Sequence, residues 1–150
     1  MPQLVNNERS PYTDVVKITA ADLIAIGNGG TRVIASIPAG GAVELCTVTN
    51  TVDIVGSSSL VIDVGTTIGD PDEFINTLDV DAATVGLPTI NTGDTFTAGT
   101  ATSATGLTQA VKIVSAATPV YIKVTDAAVA SITAGEIMIG FRILDLTKFA

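Results

Sequence analysis

Hydrophobic residues in this chain recur at every second position, and that period limits what it can fold into more than any other feature. In "PVYIKVT" Val120, Ile122 and Val124 fall on one side and Tyr121, Lys123 and Thr125 on the other, as a strand with one buried face requires. The same alternation puts Ile137, Ile139, Phe141 and Ile143 on one face of "GEIMIGFRILDL", with Met138 and Arg142 opposite. It sets Leu60, Ile62 and Val64 against Val61 and Asp63 in "SSLVIDV", and Val33, Ala35 and Ile37 against Arg32 and Ser36 in "TRVIASI". "DVVKIT", the long "AVELCTVTNTVDIV", a short "TFTA" and "QAVKIVS" bring the series to about eight strands or strand fragments.

Turn punctuation separates these segments: "GNGG", "IPAGGA", "TNTVD", "VGSSS", "NTGD" and "AATP". Many short strands divided by such signals predict a mainly β chain, an antiparallel β-sandwich or jelly-roll-like domain with one or two short helices, rather than alternating βα units. One helix is expected in "TAADLIAIG", where Thr19 and Asp22 stand at capping-box spacing and Gly27 supplies the stop. The Thr/Ala/Gly-rich stretch from Thr92 to Gly106 reads as one irregular strand and an exposed loop. Residues 1–12 are poorly patterned and read as an N-terminal arm, and residues 13–150 as a single sandwich domain, which suits the length.

Composition removes whole classes of chemistry. The chain has no histidine, no tryptophan and one cysteine, so triads that use histidine, histidine-based metal sites and disulfides within one chain are excluded. Cys46 lies in an apolar strand pattern and reads as an inert buried thiol. Net charge is −8, the pI is near 4.1, and the seven basic residues are scattered, so no patch tracks a phosphate backbone and no nucleic-acid partner is expected. No apolar run approaches the ~18 residues of a membrane span. The start "MPQLVNNERSPYTD" lacks a basic region followed by an apolar one, so neither signal peptide nor membrane anchor is expected, and the protein should be soluble and made in a cytoplasm.

Charged residues make up only 15% of the chain against the ~25% usual for soluble domains, while 47% are hydrophobic. A monomer of this size has little room to hide so much apolar side chain. Charge depletion marks the core of an interface, so part of the surface is expected to be buried against copies of the chain or another protein.

One cluster looks like chemistry. "GDPDEFI" places Asp70, Asp72 and Glu73 within four positions, and hard cations take several closely spaced carboxylates. The calcium-loop pattern fails, because Phe74 and Ile75 stand where an acid or amide and a glycine are needed. A capped turn opening a short second helix fits better, with Asp70 as N-cap, Pro71 at the first helical position, Glu73 reaching back, and Phe74 packing on the core. Asp79 and Asp81, two apart in "LDVDAA", read as a solvated strand face, and the chain supplies few aromatics for a sugar cleft. "GNGG" and "AGG" lack the lysine and hydroxyl of a phosphate loop. Serines and threonines have no base to activate them, and Lys112 and Lys123 fall on outward faces. No catalytic, cofactor-binding or metal-ligating residue is assigned, and neither enzyme activity nor a cofactor is expected.

The order "VVKITAADLIAIG", "ASIPAGGAVELCTVTNTVD", "SLVIDVGTTIGDPDEFI", "LDVDAATVGLPT" and "AVKIVSAATPVYIKVTDAAVASITAGEIMIGFRILDL" resembles small tailed-bacteriophage virion proteins, the head decoration or cement-like β proteins. The recurring pieces are a Pro-Ala-Gly turn into a long strand, a strand ending in a Gly-Asp-x-Asp turn with an aromatic after it, and a final strand ending in Asp-Leu. The resemblance spans most of residues 13–146. It implies a sandwich or jelly-roll subunit that assembles as a homotrimer on the outside of a phage capsid, in contact with the major capsid protein. The location it implies is the virion, at the capsid surface. The alternative expectation is a tail-fibre, spike or knob component that binds host-surface glycan through the Thr92–Gly106 loop.

Overall fold

The computed structural model describes residues 11–94 and 112–149. Its elements are β1 (Asp14–Thr19), α1 (Ala20–Ile26), β2 (Thr31–Ile37), β3 (Gly41–Val55), β4 (Val61–Gly65), β5 (Ile75–Asp79), β6 (Thr89–Ile90), β7 (Lys112–Ile113), β8 (Thr118–Thr125) and β9 (Ala134–Asp145). Single 3-10 turns follow β8, at Val129–Ser131, and β9, at Leu146–Phe149. The expected "TFTA" strand lies outside the described residues, and of "QAVKIVS" the described part forms only β7.

Two antiparallel sheets form a sandwich. Sheet A runs β1-β9-β3-β6, with β7 also paired to β3; sheet B runs β2-β8-β4-β5. With β7 set aside, the pairs are nested: β1 with β9, β2 with β8, β3 with β6, and β4 with β5, first with last and inward to the middle. A ribbon paired this way and wound around a core is a jelly roll. Chain connections accordingly pass from one sheet to the other, except at β4–β5 and across the β6–β7 segment.

Alternation puts one face of each strand into the gap between the sheets. Ile18, Val43, Cys46, Val48, Ile137, Ile139 and Phe141 project from sheet A, and Ile37, Ile62, Val64, Ile75, Val120, Ile122 and Val124 meet them from sheet B. Val33 departs from the expected face. A register shift between Val33 and Ala35 inserts a bulge, so Ile34 and Ala35 both pack on the core and Val33 is 54% exposed. The bulge also leaves Arg32 reaching Asp22 of α1 at 2.8 Å.

Helix α1 carries β1 over to β2, and its start has the expected form. The Thr19 backbone N–H donates to Asp22 Oδ2 at 2.9 Å while the Asp22 N–H donates to Thr19 Oγ1 at 3.3 Å, and Gly27 ends the helix at φ 78°. Leu23 is the residue it buries.

The β3 edge of sheet A is closed in pieces. β6 and β7 are two residues each, and between them the Asn91 side chain acts as a strand: its Oδ1 accepts from Cys46 N–H at 2.8 Å. Asn91 itself sits at φ 50°, a left-handed conformation that asparagine tolerates.

Candidate functional site

The acidic turn joins β4 to β5, and its hydrogen bonds fix what it does. Asp70 N–H closes a turn on Thr67 O at 3.1 Å, Pro71 is buried, and Phe74 is fully buried with its N–H donating to Val64 O at 2.9 Å. Glu73 bends back over the start of the turn and accepts from Thr66 N–H (2.7 Å), Thr66 Oγ1 (2.8 Å) and Thr67 Oγ1 (2.7 Å). Gly65 makes room for this, since a Cβ there would collide with the Glu73 carboxylate.

No helix starts here, contrary to the sequence expectation. The turn itself is at residues 68–69, residues 70–72 are irregular, 73–74 bend, and β5 begins at Ile75. The physical reason is competition: Thr66 and Thr67 present three donors to Glu73, so its carboxylate satisfies them instead of capping a helix at Asp70. The strand pairing of Ile75 with Val64 then holds the chain extended. Phe74 does pack on the core as expected.

A second segment clasps this turn. Gly93 N–H donates to Phe74 O at 2.8 Å, Asp94 N–H to Asp72 O at 3.0 Å, and Asn76 Nδ2 to Asp94 Oδ1 at 2.9 Å. A Cβ on Gly93 would strike the Phe74 backbone, so only glycine fits the approach. On the other side Lys123 reaches Gly69 O at 3.2 Å and Asp70 at 3.8 Å. Burial, then the neighbouring Asp94 and Asp70, raise the Asp72 carboxyl above its ordinary value. For Glu73 burial acts in the same direction, but the Thr67 and Thr66 hydrogen bonds outweigh it and hold the group below its ordinary value. Among the described residues, no three or more carboxylates or thiols are grouped to hold a metal.

Three further carboxylates fasten loops, which sequence reading missed. Asp126, 3% exposed, accepts from Ser58 N–H and Oγ and from Ala128 N–H, tying the "GSSSL" loop to the end of β8. Burial opposes its charge, but these bonds outweigh burial and lower its carboxyl below the usual range. Asp81 takes the Ser57 hydroxyl and Leu60 N–H, the latter at 2.7 Å, and Asp79 accepts from Asp81 and Ala82 N–H groups. Asp81 is thus a turn fastener, while Asp79 is exposed at the end of β5 as expected and also holds the turn that follows. An Asp followed two residues later by a turn is a legible signal for Asp126; its partner Ser58, far away in sequence, is not.

Cys46 is fully buried, and burial pushes its thiol well up. Of the seven basic residues, Lys17, Arg32, Lys123, Arg142 and Lys148 each pair with a carboxylate. The loop that a glycan-binding reading needs lies outside the described residues beyond Asp94.

The outer face of sheet A carries exposed apolar side chains on several strands. Register partners share a face, so Val15, Gly140, Thr47 and Ile90 form one row across four strands. Leu144, Ala42 and Ile113 form another. Tyr12 lies over Gly140, where a Cβ would come within 2.6 Å of its ring. Val15, Ile90 and Ile113 are each about half exposed, at 52%, 51% and 50%.

No family model matches the chain, and no curated protein matches it. Among solved structures the chain is similar to one from the acidic stable capsid structure of Helicobacter pylori bacteriophage KHP30, at a TM-score of 0.44 and 15% sequence identity, covering 87% of this chain and 90% of that one.

Proposed function

We propose that this chain is a non-enzymatic virion protein that decorates and stabilises the outside of a bacteriophage capsid as a homotrimer. Residues 13–150 form its single domain, and residues 1–12 an arm that, with the loops, contacts the major capsid protein. The observation that carries this reading is where the motifs of the sequence resemblance fall. Pro38-Ala39-Gly40 makes the crossover from β2 to β3, the 69–74 turn closes β4 onto β5, and "GEIMIGFRILDL" supplies β9 at the centre of sheet A. Each piece is a joint of the jelly roll, an architecture that viral capsid domains share with lectins and cupins.

The use of polar groups supports the same reading. Glu73, Asp81 and Asp126 each spend their acceptor sites on hydrogen bonds that hold loops in place. A cementing protein needs a rigid fold and contact area, and its effect follows from mass action, because binding only the assembled shell stabilises that shell. The test is cryo-microscopy of purified virions together with binding of the purified protein to shells that lack it. Density on the head at hundreds of copies is the expected result. Absence from the head, or a few copies at the tail tip, overturns the reading.

A further inference from the structure

We propose that the outer face of sheet A is the surface through which one copy of this chain packs against another. Composition called for buried surface beyond one core, and the structure locates where apolar side chains are left uncovered. Val15, Ile90 and Ile113 stand about half exposed on that face, with Leu45, Met138 and Leu144 partly buried around them. They lie on β1, β9, β3, β6 and β7 and are distributed across the whole width of the sheet.

Charge selects the occupant. The chain carries −8, so two copies repel unless the contact avoids the uncompensated carboxylates. In sheet A Lys17 pairs with Glu136 at 3.1 Å and Arg142 with Glu44 at 3.0 Å, which leaves Asp14 near the start of β1 and Asp53 near the end of β3 without a basic partner among the described residues. Asp63, Asp72, Asp79 and Asp94, which have no basic partner among the described residues, lie on sheet B or the turns around it. An apolar centre with charges at its rim is the composition of an interface between protein copies. It offers nothing to an anionic polymer or lipid headgroup. The two-residue edge strands and the Asn91 side chain blunt the β3 edge against strand addition.

This inference deepens the assembly reading by naming the surface, and its test separates from capsid binding. A monomer that still coats capsids sinks the inference and the trimer but leaves capsid decoration standing; an oligomer that ignores capsids sinks only the decoration reading. Light scattering on the purified full chain should give a multiple of 15.2 kDa, and a monomer at every concentration overturns the proposal. Val15→Glu with Ile90→Glu should give a monomer with an unchanged circular dichroism spectrum; a folded variant that stays oligomeric overturns it.

Should that variant fail to fold, thiol labelling decides, because Cys46 is buried and a new surface cysteine becomes the reactive thiol. Ile90→Cys on sheet A should react with a maleimide about tenfold or more slowly than Val33→Cys on sheet B, since access sets the rate of a thiol. Both sites are half exposed in one chain, so equal rates overturn the proposal. Residues 1–10 are the other candidate occupant, because the chain enters this face at Tyr12. A full chain that is monomeric but self-associates when residues 1–10 are deleted would assign the face to them and overturn the proposal.

Discussion

The two sheets contribute almost the same side chains to the core and present different chemistry to the outside. Both inner faces are rows of Val and Ile. Outside, sheet B carries Tyr121, Lys123, Asp63, Thr77 and Asp79 around a single exposed Val33, whereas sheet A carries Val15, Ile90 and Ile113 with two ion pairs, Lys17–Glu136 and Arg142–Glu44. Burial of one face explains why either sheet folds; only the outer faces say what each is for. Sheet A is also the longer one, built on a fifteen-residue β3 against a twelve-residue β9, while sheet B depends on loops fastened by Glu73, Asp81 and Asp126.

The largest effects should come where each sheet meets the core. Phe141→Ala in the middle of β9 and Phe74→Ala at the turn into β5 remove fully buried rings, and each should lower unfolding free energy by about 3–5 kcal/mol in denaturant titration. A Phe74→Ala loss below about 1 kcal/mol would mean that the hydrogen bonds of the turn, and not its apolar plug, hold sheet B together.

Two glycines sharpen the contrast at the next level. Gly93→Ala sets a methyl against the Phe74 backbone, which belongs to a paired turn and has nowhere to go, so a loss of about 1–3 kcal/mol is expected. Gly140→Ala sets its methyl against the Tyr12 ring, a side chain and not backbone, and should cost less than Gly93→Ala. Equal losses would show that Tyr12 is held as firmly as the turn.

Glu73→Gln tests the fastening itself. The amide keeps the shape but turns an NH2 toward one of three donors, so a loss of about 1–2 kcal/mol is expected, read from the same titrations. Acid should mimic it. Glu73 and Asp126 are held below their ordinary values of 4.5 and 3.8, so their contribution is complete above those values and lost as pH falls through the lower values in the folded chain. Asp72 runs the other way. Its raised value means that ionisation weakens the folded state as pH rises past 3.8, so Asp72→Asn should raise the melting temperature at pH 7 and have no effect well below 3.8.

The strand faces were legible because period two is a local signal, and the helix was legible because Thr19, Asp22 and Gly27 state its cap and stop within nine residues. What failed depended on distant partners. Val33 changed sides because a bulge against β8 set the register, and no residue within "TRVIASI" announces it. The helix expected at Asp70 was lost to Thr66, Thr67 and a clasp from Gly93 and Asp94, none of which belongs to the seven residues that suggested it. The jelly-roll winding was open for the same reason, since the pairing of β1 with β9 joins opposite ends of the chain.

The smallest effects are the most informative about the outer faces. Val33→Thr and Ile90→Thr are near-equal changes at positions 54% and 51% exposed, and in an isolated chain each should stay within about 0.5 kcal/mol. If sheet A faces another copy, the symmetry breaks: Ile90→Thr then costs more, and its cost grows with protein concentration, because a contact between copies stabilises the folded chain by mass action. Val33→Thr should show no such dependence. Melting temperatures of both variants across a concentration series read the difference directly, and two flat, equal responses would leave the two outer faces differing in composition but not in use.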